Sequence, residues 1–195
     1  MTVVHLVRHA AHGVLGHILT GRMAGVRLGD TGRAQAERLA GRLAGMPVTA
    51  VQSSPLERTL ETAEVIGRRL GLPVEPVDAL LEIDFGDWSG RRFDELEPSE
   101  HWRRWNHFRS GTRPPGGETI WEVQARILCH IESLPPDGTV VLVSHSDLIK
   151  SILAHYLGMP PDLFLRLEIS PASISTVEIG GWGPRILRIN EDPTT

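Results

Sequence analysis

Residues 137–158, "DGTVVLVSHSDLIKSILAHYLG", are the most constraining unit in the chain. A tight turn leads into a short strand over Thr139–Val143; the triplet Ser144-His145-Ser146 follows, and then a helix to about Leu157. A strand that feeds straight into a helix belongs to a layered α/β architecture. A second apolar run, Val3–Val7, stops in a similar way at Arg8 and His9. In open α/β sheets ligands bind beyond the carboxyl ends of the strands. His9 and His145 therefore fall where such a sheet builds its site.

The remaining elements follow the same alternation. Residues 10–29 are rich in Gly and His and read as a functional loop. Asp30 or Thr31 is a candidate cap for a helix on which Ala34, Ala36, Leu39, Ala40 and Leu43 recur at helical spacing. Val48–Gln52 reads as a strand. "SSPLERTLETAEVIGRRLG" predicts a helix with Ser54 as N-cap, Pro55 in the first turn, Glu57 closing a capping box and Gly71 as the stop. "LLEIDFGDWSGRRFDELEP" reads as a loop with a short helical piece, and "HWRRWNHFRSGTRPPGGET" as an irregular excursion, giving a lid-like insertion around 91–117. Trp102, Trp105 and Phe108 serve there as packing or as a substrate cover. Ile120–Leu134 predicts a helix carrying Cys129 as a small core residue. Ile174–Ile179 and Arg185–Ile189 predict antiparallel strands joined through "GGWGP". The expected class is α/β, with a mainly parallel central sheet flanked by helices, in one domain over 1–195.

Composition narrows the functions. With 195 residues and 41 % apolar content, the chain is long enough to bury a core. A net charge of -4 argues against a nucleic-acid or polybasic membrane partner. No stretch approaches the ~20 apolar residues of a membrane span, and the N-terminus lacks a secretory pattern, so a cytoplasmic location is expected. Cys129 is the only cysteine, which rules out an intramolecular disulfide. Lys150 is the only lysine; arginine, which suits two-pronged recognition of phosphate or carboxylate, supplies the other basic residues.

Two arginines (Arg8 and Arg58), two histidines (His9 and His145), a helix N-terminus at Ser146 and an acid from the Glu82, Asp84 and Asp87 stretch suggest phosphoryl chemistry. Guanidinium groups and helix amides hold phosphoryl oxygens. A neutral imidazole can attack phosphorus, and a carboxyl group can protonate the departing oxygen and later deprotonate water. His5, His9, His12 and His17 invite comparison with a metal site, but no Cys, Asp or Glu joins them at the usual ligand spacing. No metal and no cofactor are expected.

The residues are more specific than this spacing argument. "LVRHAAHG", "TGRMAGVRLGDTGRAQA", "VQSSPLERTLETAE", "LLEIDFGDWSG", "PPGGET" and "VVLVSHSDLIKSIL" resemble, in order, six motifs of the histidine phosphatase superfamily, the phosphoglycerate-mutase-like clan (branch 1). The resemblance covers residues 3–154. It implies a three-layer sandwich with His9 as the phosphorylated nucleophile and Arg8, Arg58 and His145 as the phosphate pocket. Glu82 would be the proton donor, and Thr20, Gly21 and Ser146 would line the pocket. It further implies a histidine acid phosphatase-type phosphomonoesterase acting on a small phosphorylated metabolite, as a monomer or homodimer. Alternatives are a phosphoglycerate-type mutase and a phosphate-binding module without turnover. Three departures stand out. Ala10-Ala11-His12 follows Arg-His where the family usually has Gly-Glu-Thr. Val14 or Leu15 replaces a polar residue for which His12 or His17 could substitute. Ser146 stands in place of a glycine. Glu118 is expected to cap the helix after it.

Overall fold

The computed structural model describes residues 1–193. Its apolar runs assemble into one six-stranded sheet: β1 (Thr2–Arg8), β2 (Ala50–Ser53), β3 (Val74–Pro76), β4 (Thr139–Ser144), β5 (Ile174–Gly180) and β6 (Gly183–Glu191). The order is β3-β2-β4-β1-β5-β6. The first four strands are mutually parallel, while β5 and β6 run antiparallel at one side. Register along the central pair runs from Val3 opposite Thr139 to Arg8 opposite Ser144.

Alternation along the strands divides the core in two. Val4, Leu6, Val140 and Leu142 face one layer of helices, α5 (Ile120–Glu132) and α6 (Ser146–Tyr156), against Val123, Ile127 and Ile152. Val7, Val51, Val141 and Val143 face α1 (Asp30–Leu43) and α2 (Glu57–Leu70), against Leu39, Ala63 and Ile66. The outcome is the expected mainly parallel α/β sheet between two helical layers. Among the described residues no helix is long and apolar enough to cross a membrane.

Several local expectations need correction. The N-cap of α1 is Gly29, with no side-chain cap, and Ala34 is exposed. Gly32 lets that helix approach the loop after β1: a Cβ there would lie 1.9 Å from the Ala11 carbonyl oxygen. The second strand starts at Ala50 rather than Val48. α2 begins at Glu57 with Leu56 as N-cap; Ser54 and Glu57, expected to cap it, make tertiary contacts instead. The stop at Gly71 is as expected, with left-handed φ of 69°. Cys129 is exposed on α5 rather than buried. That helix is capped by Thr119 and Glu122 in a reciprocal box, not by Glu118.

The segment around 91–117 is not irregular. It holds α3 (Phe93–Leu96) and α4 (Glu100–His107), the latter capped by the Ser99 hydroxyl. Charged and polar residues at most α4 positions hide its apolar stripe. Trp105 is fully buried and packs near-perpendicular to Phe85, with ring centroids 6.4 Å apart. Trp102 packs on Trp88, and Phe108 is exposed.

Candidate active site

Three adjacent parallel strands end at one cleft of about 400 Å³. β1 delivers Arg8 and His9, β4 delivers His145 and the first turn of α6, and the turn after β2 leads to Arg58. Their side chains meet because β4 lies between β1 and β2.

His9 is 4 % exposed, and its ring centroid lies 5.3 Å from that of His145 and 5.4 Å from that of His12. Its Nδ1 lies 2.8 Å from the carbonyl oxygen of Ala10. A carbonyl can only accept, so Nδ1 carries the proton and Nε2 keeps its lone pair. Burial and the Arg58 and Arg8 charges hold His9 well below its usual pKa, so the imidazole is neutral. Ala10 donates its N–H to Thr62 Oγ1 and is not among the residues with positive φ, so its methyl group fits without strain.

Arg58 is only 1 % exposed, although it carries a full charge. Its Nη2 donates to the Gly21 carbonyl oxygen at 2.6 Å and to His145 Nδ1 at 3.1 Å. Since a guanidinium group only donates, His145 Nδ1 must accept, and its Nε2–H donates to Ser54 Oγ at 2.9 Å. Ser54 thus orients His145 rather than capping α2. Burial and Arg58 also depress the His145 pKa. Gly21 holds φ of 47°, and its carbonyl fixes Arg58. Arg8 donates to Ile169 O at 2.6 Å. The Nε and Nη1 of Arg58 and the Nε of Arg8 are buried without partners. Buried donors of this kind are rare and costly unless an anion takes them up.

Glu82 lines the same cleft. Its Oε1 accepts from the Ile83 N–H at 3.0 Å. Burial, reinforced by the Asp147 charge, pushes its pKa up to about 7 despite Arg58 and Arg8. Its loop is held from behind: Arg126 donates to the carbonyls of Ala79, Leu81 and Glu82, and Arg22 donates to Glu82 O. Glu118 joins both arginines and accepts from Asp84 N–H. Gly117 makes this approach feasible, because a Cβ there would lie 2.2 Å from Asp84 O. The Gly-Gly-Glu step therefore braces the Glu82 loop. Asp84 itself accepts from Gly86 N–H and pairs with Arg22, and Asp87 is exposed outside the cleft lining.

Thr20, Gly21 and Ser146 line the cleft, as does His12. His12 is neutral, with a pKa lowered by burial to about 4, and its Nδ1 has no partner. His17 is exposed and His5 bonds Thr176, so the four N-terminal histidines do not converge. Leu15 brings an apolar side chain to the cleft, and His12, not His17, is the loop histidine that lines it. Sequence reasoning missed Asn106, Arg109 and Asp147, which also line it. The signal for Arg109 was an arginine one turn beyond Trp105, legible only once α4 is known to be a helix; Asp147 stands in the first turn of the expected helix α6.

Buried histidine and arginine side chains meet at parallel strand ends of an α/β protein, with an acid of raised pKa nearby. The chain belongs to the histidine phosphatase superfamily (branch 1), whose model matches residues 4–192. "Bifunctional protein Rv2228c" of Mycobacterium tuberculosis is 36 % identical over 169 residues, covering 83 % of this chain but only 46 % of that protein. The chain thus spans about half the length of that relative. "Probable phosphoglycerate mutase GpmB" of Yersinia pestis is 31 % identical over 189 residues, covering 91 % of this chain and 85 % of the relative. Among solved structures, a phosphoserine phosphatase from Entamoeba histolytica, in complex with phosphoserine, superposes with a TM-score of 0.85 at 27 % identity over 97 % of each chain.

Proposed function

We propose that this chain is a metal-independent phosphomonoesterase that acts through a phosphohistidine on a small phosphorylated metabolite. The observation carrying this reading is Arg58: a nearly wholly buried guanidinium group with two unpartnered donors, beside a histidine whose Nε2 lone pair is available. Arg8 and Arg58 bind the phosphoryl oxygens. His9 Nε2 attacks phosphorus while the P–O bond to the alcohol breaks, and protonated Glu82 passes its proton to the departing oxygen. Glu82 then takes a proton from water, whose oxygen attacks phosphorus and breaks the P–N bond. Inorganic phosphate leaves, with His9 neutral and Glu82 protonated again. The first turn of α6 and the two guanidinium groups stabilise the oxygens in both steps, and His145, oriented by Ser54, holds Arg58 in place through Nδ1. The two guanidinium groups supply the positive charge that a metal would otherwise supply.

The likeness to the Yersinia protein keeps a mutase as the second reading, in which an alcohol replaces water at the second step. The test is hydrolysis of an aryl phosphate at mildly acidic pH with EDTA, for wild type and His9→Ala side by side. Turnover that survives EDTA and disappears in the variant supports the phosphatase. Isomer interconversion that depends on a bisphosphate primer supports the mutase.

A further inference from the structure

The cleft has two unlike ends. Its deep end holds Arg8 and Arg58, whose two charges balance a bound phosphoryl dianion. Its shallower walls are mainly apolar: Leu15, Ile18, Phe85, Phe93, Trp102 and Leu165. One further cation lines it, Arg109, whose two terminal nitrogens are engaged while its Nε is buried without a partner. Arg109 is 3 % exposed and donates from Nη1 to Asp147 Oδ2 at 3.2 Å and from Nη2 to Asn106 Oδ1 at 3.1 Å. Its guanidinium carbon lies 4.7 Å from the Trp105 ring centroid and 3.9 Å from that of Phe164. Held between two rings, it has no room to swing toward a ligand. Asp147 is the more accessible partner, with a side chain 20 % exposed. A ligand entering the cleft meets the carboxylate of this pair more readily than the guanidinium.

We infer that the substrate's alcohol portion is an uncharged, largely apolar group, and that Asp147 is the specificity-determining residue that turns away phosphomonoesters bearing a second anion. The inference rests on the reading of the deep end as a phosphoryl site. With the phosphoryl dianion balanced by Arg8 and Arg58, the rest of the cleft is close to neutral, because Arg109 and Asp147 cancel. A carboxylate next to the phosphate would find the terminal nitrogens of Arg109 already paired and its Nε buried, and would face the more exposed Asp147 carboxylate at short range in a partly desolvated space. Discrimination of this kind comes from a repulsive element as much as from attractive contacts. Trp102 and its apolar neighbours supply the attractive part for a ring or an alkyl chain.

Binding tests this without relying on turnover. Benzylphosphonate and α-carboxybenzylphosphonate differ by one carboxylate beside the phosphonate. Their affinities are measured by calorimetry at pH 6, where Glu82 is mostly protonated, on wild type and on Asp147→Asn. Wild type should bind benzylphosphonate about 10-fold or more tightly than its carboxylated analogue, and the gap should shrink to about 3-fold or less in the variant. Equal or inverted preference in wild type overturns the inference while leaving a phosphatase intact. A gap unchanged in a folded Asp147→Asn protein removes Asp147 from the role. Failure of wild type to bind either compound, with phosphohistidine still formed from an ester, also overturns the inference but not the chemistry. Absence of both would end the two readings together.

Discussion

The two ends of the cleft are built differently. At the deep end, Arg8, His9, Arg58 and His145 sit at or just beyond three hydrogen-bonded parallel strands, and each is held by a short, directional contact. At the other end, Trp102, Asn106 and Arg109 come from α4 and the turn after it, a segment held mainly by ring packing. The first end is polar, buried and costly to maintain: an unneutralised guanidinium and depressed histidines oppose folding. The second is apolar and adds stability through burial. Chemistry is therefore assigned to the part that strains the fold, and selection of the alcohol to the part that supports it.

The comparison breaks most clearly at His9. His9→Ala should lower turnover by about 10³-fold or more, because no other side chain replaces the nucleophile; steady-state kinetics on an aryl phosphate measure it. Glu82→Gln should lower hydrolysis of alkyl phosphates by about 10²- to 10⁴-fold, and of activated aryl phosphates by less, since a good leaving group needs little proton donation. A comparable loss on both esters would remove Glu82 from the donor role. Arg58→Met should cost about 10²- to 10³-fold in kcat/KM while leaving the melting temperature unchanged or raising it by a few degrees. A marked loss of stability in that variant would contradict the contrast drawn above.

At the other end the expected effects are smaller on chemistry and larger on folding. Trp105→Ala should cost about 3–5 kcal/mol of stability, read by denaturant unfolding. Trp102→Ala should raise KM for ring-bearing esters by about 10-fold with little change in kcat. The pH profile sharpens the link between the two ends. Glu82 must be protonated to donate, so kcat for an alkyl ester should fall as pH rises through about 7. Asp147 helps to raise that pKa, so Asp147→Asn should move the alkaline limb to lower pH. A shift to higher pH would reverse the assigned sign.

This division also explains what could be read from the sequence. Short apolar runs ending in Arg8-His9 and Ser144-His145 carry local information about strand ends, and parallel topology brings them together with little further input. The helix holding Arg58 was legible too, but its start was not: Ser54 bonds His145 and Glu57 accepts from Gly25 N–H, so tertiary contacts claim residues that local rules assign to a cap. Glu118 departs from its expected capping role in the same way, since Arg22, Arg126 and Asp84 claim it. α4 was lost because "EHWRRWNH" is mostly charged and polar, and its buried face rests on Trp105 alone. β3 was not anticipated either; three residues ending in Pro76 leave little periodicity to detect. With α4 hidden, Arg109 could not be placed, and the charge balance of the cleft depends on it.

The central claim is that His9 Nε2 takes up the phosphoryl group without a metal. The most direct test is rapid acid-free quenching of the protein with a ³²P-labelled phosphomonoester in EDTA, followed by mapping of the label. The account predicts acid-labile, base-stable phosphate on His9 that turns over at the rate of hydrolysis and is absent from His9→Ala. Full hydrolysis with no labelled histidine, or label on any other residue, would contradict it.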